Sequence, residues 1–328
     1  MRGAGGDHEF LNRLDTTGVT RDNPFMRETL VDLEKNLKKV RTAVAEIYYL
    51  EDGPADGSPV FLLHGFPDDP GGFDPVVTHI GGRGLRVIRP YLRGFGPTVV
   101  HQSAARNGQM AALGQDVIDL ADALGIKQFH LVGHDWGSRA AHAAAIFAPD
   151  RVLRLVAIAS PYFVDPGMPV GLRLKQTQAF WYQLYFHTRE GKLALEEHSA
   201  ELCEHLWRTW SPTWAFSPQD LQAVLPSFRN PSFAEIVVSY YQHRWNVGSD
   251  SAFYEIQQAK LQRTQTIDVP TLFIAGSLDG CTLPDSSRNV EEFYRADYQR
   301  IDLPATGHFP HREQPGTVGD LIVGVMEW

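Results

Sequence analysis

The sequence predicts an α/β protein, a mostly parallel sheet flanked by helices and interrupted by an inserted helical cap, and three observations predict it. Short apolar runs recur at 59–63, 86–90, 129–132, 155–159 and 271–275, and helical stretches separate most of them. The runs are apolar on both faces, as strands covered by helices on both sides must be. The regular spacing then breaks between residues 159 and 271, where something is inserted. Residues 164–255 are rich in Trp and Tyr, with helical patterning and no convincing strand, which reads as a lid.

The expected organisation is an N-terminal arm and helix over 1–41, a first core segment over 42–163, the cap over 164–255 and a second core segment over 256–328. Residues 1–22 carry little periodicity. Asn23-Pro24 reads as a helix start, with Met26, Leu30, Leu33 and Leu37 as one apolar stripe that docks on the body or on a second copy in a homo-oligomer.

At 328 residues, with 43% hydrophobic and 21% charged, the chain can bury a large core. The formal charge of −9 and the absence of a Lys/Arg cluster argue against nucleic acid or an anionic membrane surface as partner. A small neutral molecule fits better. Cys203 and Cys281 are too few for a disulfide framework, and the N-terminus lacks a secretory apolar core, so a soluble protein of the reducing cytoplasm is expected.

The chemistry concentrates at Gly133-His134-Asp135-Trp136-Gly137, which follows the run at 129–132 and precedes an alanine-rich helix. A strand, a sharp turn between small residues and a helix make a nucleophile elbow, with Asp135 in the place a serine often takes. On its own an Asp in a turn can equally be a helix cap. Its partners decide: Asp279 follows the run at 271–275, and His308 in Thr306-Gly307-His308-Phe309 follows what reads as the last strand. Nucleophile, acid and histidine thus occur in the order that this elbow architecture uses. His64-Gly65-Phe66-Pro67 follows the strand at 59–63, where the Phe66 N–H would form an oxyanion hole with the Trp136 N–H. An ionised Asp is a nucleophile at neutral pH without a base and can displace a leaving group from saturated carbon, giving an alkyl ester that histidine-activated water hydrolyses.

Taken together, His64-Gly65-Phe66-Pro67, Arg93-Gly94-Phe95-Gly96, Gly133-His134-Asp135-Trp136-Gly137 and Gly307-His308 resemble, over residues 42–328, the epoxide hydrolases of the α/β-hydrolase superfamily, with the dehalogenases as neighbours. The resemblance implies a small apolar epoxide and water as reactants, and two lid tyrosines that protonate the epoxide oxygen. Phe180-Trp181-Tyr182-Gln183-Leu184-Tyr185-Phe186 and Ser239-Tyr240-Tyr241-Gln242-His243-Arg244-Trp245 are similar to the tyrosine-bearing segments, which assigns Tyr182 and Tyr241, with Tyr185 and Tyr240 next in line. Phe66, Trp136, Phe180 and Trp181 are expected to line the pocket. A haloalkane or haloacetate dehalogenase with the same triad is the alternative, with Trp136 and Trp181 as halide donors. A single Arg93 falls short of the paired arginines of the haloacetate group.

No cofactor and no metal are expected. His198, Cys203 and His205 have spacings that do not share one helix face, and no dinucleotide or phosphate loop follows the first strand. Asp68 and Asp69 read as turn caps, His311 as a helix-start or surface residue, and the role of His134 stays open.

Overall fold

The computed structural model describes residues 36–248 and 250–327, so the arm over 1–22 and Met26, Leu30 and Leu33 of the stripe lie outside the described residues. Leu37 does not continue a helix. It opens β1 (Leu37–Arg41), which pairs antiparallel with β2 (Ala45–Asp52) in the register Lys39↔Tyr48. The sheet therefore begins five residues before the expected core. The reason is the edge: only one side of β1 packs, and Lys38 and Lys39 point outward to Glu51 and Glu46, so the strand lacks the apolar run that marked the others.

The remaining strands are β3 (Ser58–Leu63), β4 (Leu85–Pro90), the short β5 (Val99–Val100), β6 (Phe129–His134), β7 (Val152–Ile158), β8 (Thr271–Gly276) and β9 (Tyr298–Leu303). Their spatial order is β1-β2-β4-β3-β6-β7-β8-β9, with β5 beside β2, and every pairing from β4 through β9 is parallel. The expected mostly parallel sheet is thus present. Alternate residues of β3 feed two apolar layers, Phe61 and Leu63 on one face and Val60 and Leu62 on the other.

Helices α1 (Asp74–Ile80), α2 (Met110–Ala123) and α3 (Trp136–Phe147) connect the first parallel strands. The small residues of α3 permit close approach, and a Cβ on Gly114 of α2 would sit 2.5 Å from the Ala143 methyl. Between β7 and β8 the described residues form α4 (Val170–Ala179), α5 (Trp181–Tyr185), α6 (Arg189–Glu197), α7 (Ser199–Trp210), α8 (Pro218–Val224), α9 (Phe233–Arg244) and α10 (Glu255–Arg263), with short 3₁₀ turns and no strand. After β9 come α11 (Pro310–Glu313) and α12 (Pro315–Met326). No helix among the described residues is long and apolar enough to cross a membrane.

The inserted helices sit over the carboxyl ends of the parallel strands and are hydrogen-bonded to the loops there. Trp207 Nε1 donates to the Pro67 carbonyl at 2.9 Å, Tyr240 Oη to the Arg93 carbonyl at 3.2 Å, and the Gly280 N–H to the Trp210 carbonyl at 3.0 Å. In open α/β sheets that end is where ligands bind.

Candidate active site

Asp135 follows the last residue of β6 and caps α3 with φ 50° and ψ −114°, in the left-handed region that a non-glycine residue enters at a cost of about 1–3 kcal/mol. The neighbouring glycines make the turn sterically possible. A Cβ on Gly133 would meet the Gly137 carbonyl oxygen at 2.3 Å, and one on Gly137 would meet the Leu63 carbonyl oxygen at 2.0 Å. The strain holds the carboxylate up from the sheet instead of turning it back to cap its own helix, and no capping bond from the Asp135 side chain to α3 is formed.

The two oxygens of Asp135 have different surroundings. Oδ1 accepts the Phe66 N–H at 3.0 Å, and Oδ2 lies 3.6 Å from Nε2 of His308. Trp136 heads α3, whose first N–H groups have no partner within the helix.

His308 is fully buried, and its Nδ1 is 2.8 Å from Oδ2 of Asp279. Asp279 Oδ1 in turn accepts the Cys281 N–H at 2.7 Å and the Thr282 N–H at 2.9 Å, so the carboxylate is fixed from both ends. Burial pushes Asp279 upward, against the pull of His308 and these N–H groups. Burial alone would lower the imidazole of His308, but Asp279 first and Asp135 second raise it to about 10. The loop carrying His308 is pinned as well: its N–H donates to Ser211 Oγ at 2.8 Å, and Glu313 accepts the Gly307 N–H at 2.9 Å.

Behind the histidine lies a second polar cluster. His311 is fully buried rather than on the surface, with Nε2 3.0 Å from Oδ2 of Asp68, and its ring stacks on Phe73 at 4.5 Å. The helix-start expectation had no way to see that α11 turns this residue inward. Asp68 also accepts Arg312 Nε at 3.1 Å, and Arg312 and His311 hold its carboxyl well below the usual range in spite of burial. His134 Nε2 is 2.7 Å from the His308 carbonyl oxygen, which gives the open residue of the elbow a place. Ligand atoms of Asp68, His134 and His311 lie within 4.8 Å of one another. The Arg312 guanidinium already neutralises the one carboxylate, and Nε2 of His311 and of His134 are taken by Asp68 and the His308 carbonyl, so the cluster is a hydrogen-bonded brace, with Nδ1 of each ring buried and without a partner among the described residues. Asp69 does cap its turn, accepting the Gly71 N–H at 2.9 Å.

Above Asp135, the cap brings Tyr182 of α5 and Tyr241 of α9 together with ring centroids 5.4 Å apart, both fully buried. Burial raises both phenols well above their ordinary value, so both remain protonated donors. Tyr182 Oη accepts Gln183 Nε2 at 2.9 Å and touches Cys281 Sγ at 3.4 Å, whereas Tyr241 Oη has no hydrogen-bond partner among the described residues. Tyr240 points away, stacking on Trp136 at 4.5 Å, and Tyr185 packs beside Trp181.

The cavity at Asp135 is lined by Trp136, Phe180, Tyr182, Tyr241, Arg139 and Arg244 among others. Phe66 contributes its N–H, while its ring packs under Tyr241 and Phe186. Trp181 is placed elsewhere: it is 41% exposed, stacks near Tyr185 and His205, and is absent from the cavity wall. Phe180 joins α4 to α5, and Tyr182 follows Trp181 about 100° round α5, so one is exposed while the other is buried. Gln183, Arg139 and Arg244 line the cavity without having been expected there. For Arg139 a signal existed: it stands four residues after Asp135 and so shares its helix face.

A family model described as the alpha/beta hydrolase fold matches residues 58–315, and the chain belongs to that family. Within it, the chain is similar to epoxide hydrolase B of Mycobacterium tuberculosis, 33% identical over 162 residues, a match that takes in 44% of this chain and only 45% of that relative. Epoxide hydrolase A of the same organism is 23% identical over 315 residues, covering 85% of this chain and 93% of that one. A solved structure provisionally described as an epoxide hydrolase, from Klebsiella pneumoniae, superimposes with a TM-score of 0.83 at 31% identity, covering 90% of this chain and 98% of the other.

Proposed function

We propose that the protein is an epoxide hydrolase that works through an alkyl ester on Asp135. The observation that carries the reading is the division of labour between the two Asp135 oxygens: Oδ1 is held by the Phe66 N–H and Oδ2 lies 3.6 Å from His308 Nε2, at a residue that lines a cavity with Tyr182 and Tyr241.

Oδ2 attacks a ring carbon of the epoxide from the side opposite the C–O bond that breaks. The bonding electrons pass to the epoxide oxygen, which takes a proton from Tyr241 or Tyr182, since an unassisted alkoxide is a poor leaving group. Nε2 of His308 then removes a proton from water, and the water oxygen adds to the carboxyl carbon of Asp135. The negative charge this places on Oδ1 is met by the Phe66 N–H and, in the proposal, by the Trp136 N–H. The bond from the carboxyl carbon to Oδ2 breaks, the diol leaves with a proton from the imidazolium, the proton left on the new Asp135 carboxyl group replaces the one the tyrosine gave up, and one carboxylate oxygen of Asp135 now comes from water. Asp279 holds the ring in place through Nδ1 and offsets its positive charge.

The dehalogenase alternative loses support from the placement of Trp181 outside the cavity, which removes its second halide donor. The decisive experiment is mass spectrometry of His308→Gln after mixing with an epoxide. The proposal expects intact protein heavier by one substrate mass, on the peptide containing Asp135, and no such adduct with Asp135→Asn. An unmodified His308→Gln chain after prolonged exposure to a panel of epoxides would defeat it.

A further inference from the structure

Beside the cavity at Asp135 lies a second one of about 350 Å³ lined by Gln109, Met110, Trp136, Arg139, Tyr240 and Arg244 among others. Trp136, Arg139 and Arg244 belong to both walls. Each arginine stands about one helical turn beyond a residue of the reacting centre. Arg139 follows Asp135 by four positions at the start of α3, and Arg244 follows Tyr241 by three at the end of α9, so each shares a face with the group it follows.

Neither guanidinium has a hydrogen-bond or ion-pair partner among the described residues. Arg139 lies over the Trp136 ring at 5.4 Å and Arg244 over the Phe180 ring at 4.8 Å, contacts that orient the planar groups and leave their N–H forks unused. Elsewhere in the same protein, enclosed arginines are matched: Arg93 is bidentate to Asp116, Arg89 bridges Asp52 and Asp74, and Arg312 binds Asp68. Burial lowers Arg139, and the largest opposing influence is Asp135 itself. Among the residues lining the two cavities Asp135 is the one carboxylate, and His243 of the outer wall is already paired with Asp250 at 2.8 Å. In a chain of net charge −9 this is a locally cationic pocket. Both guanidiniums are half-buried, and an acceptor carried in by a ligand would use their free N–H groups.

We propose that Arg139 and Arg244 form a carboxylate subsite, and that the preferred substrates are epoxides bearing a carboxylate on or next to the ring. The class of substrate rests on the epoxide reading, whereas the subsite itself does not. A carboxylate held by both forks would lie at the wall the two cavities share, beside Asp135 and Tyr241, so the epoxide ring it bears is held near the nucleophile.

Two measurements on the full chain separate these claims. The first is calorimetric titration with propionate and with its neutral isostere propionamide. Propionate is expected to bind saturably and at least about tenfold tighter than the amide, with the difference lost in Arg139→Gln and reduced in Arg244→Gln. Equal binding of acid and amide to the wild type overturns the subsite, and that comparison needs no variant to fold. The second measurement compares glycidate with methyl glycidate. Wild-type kcat/KM should favour the acid by about tenfold or more, and Arg139→Gln should collapse the ratio mainly through KM for the acid. A substitution that slows both esters and acids equally overturns the assignment to substrate charge. If propionate binds through Arg139 but no epoxide of either kind is turned over or trapped by His308→Gln, the epoxide reading falls and the carboxylate subsite stands.

Discussion

Nε2 of His308 faces Oδ2 of Asp135 across 3.6 Å with no hydrogen-bond partner among the described residues, while Nδ1 of the same ring is tied to Asp279 at 2.8 Å. The ring is thus aimed at the Asp135 carboxylate without being hydrogen-bonded to it. In the proposed mechanism that distance leaves room for the bonds that esterification and water attack rearrange, and it couples the charge of His308 to the charge of Asp135.

The coupling predicts a titration. Asp279 and Asp135 together raise His308 to about 10, so the resting ring is an imidazolium. Esterification removes the charge on Asp135 and with it part of the cause, which drives His308 toward the neutral base that water activation needs. Asp135→Asn imitates that loss. The His308 pKa read by NMR is expected to be lower in Asp135→Asn than in the wild type, and an unchanged value would remove the coupling from the mechanism.

A second prediction concerns stability against pH, and two groups act in separate windows. His308 is raised above its ordinary value of 6.5, so its contribution is complete below about 6.5 and is lost as pH rises toward about 10. Asp69 is raised from 3.8 to about 7, because burial and Asp68 penalise its charge, so stability is lost as pH rises from about 4 through 7 and is flat above. Because His64, His130 and His142 are lowered to about 4 and add stability over the lower window, the two contributions are read as differences from the wild type. Asp69→Asn, which retains the size of the side chain facing Gly71 and Ser227, should gain Tm relative to the wild type as pH rises from about 4 to 7, and His308→Gln should gain from about 6.5 to 10; Tm differences that do not change with pH in either variant would refute both assignments.

The tyrosines should separate. Tyr241→Phe removes a hydroxyl that bonds to no described residue, so the fold should keep its Tm while turnover of an epoxide falls by about 10²-fold or more. Tyr182→Phe also strands Gln183 Nε2 and should lower Tm by a few degrees in addition to slowing turnover. A Tyr241→Phe enzyme with wild-type kcat would redirect the chemistry toward a leaving group that needs no proton, such as halide.

The grouping of Asp135, Asp279 and His308 was legible because they lie at strand ends with distinctive neighbours. An Asp between glycines after a buried strand, an Asp after β8 and a Gly-His after β9 have a fixed order along the chain, and the parallel sheet converts that order into proximity. What was not legible depends on faces. Leu37 fits an apolar stripe at helical spacing and equally an edge strand, and only the pairing with β2 decides. His311 looks like any polar residue after a Pro until α11 is seen to turn it toward Asp68. Trp181 and Tyr182 are adjacent in sequence, yet a short helix sends one outward and the other to the cavity. Arg139 carried a readable spacing from Asp135, but an arginine in an alanine-rich helix reads as a solvated face unless the cavity beside it is known.

The last prediction tests how closely the oxyanion donor is tied to the nucleophile. Gly65 precedes Phe66, and a Cβ there would lie 2.5 Å from the Asp135 Cβ and 2.7 Å from Oδ1. Its φ is not in the left-handed region, but the same Cβ would also lie 2.7 Å from the His134 carbonyl oxygen, so the penalty is shared between the carboxylate and the end of β6. Gly65→Ala should push Oδ1 off the Phe66 N–H and cost about 10²–10³-fold in kcat, the scale of losing one oxyanion donor. Gly137→Ala, whose Cβ would run into the Leu63 carbonyl oxygen at 2.0 Å, must instead separate β3 from α3. Thermal melts should show the larger loss of Tm for Gly137→Ala, and activity at a temperature where both variants are folded should show Gly65→Ala impaired out of proportion to its stability. Should Gly65→Ala retain wild-type kcat, the contact between Phe66 and Asp135 would be structural, and charge stabilisation in the second step would have to come from elsewhere.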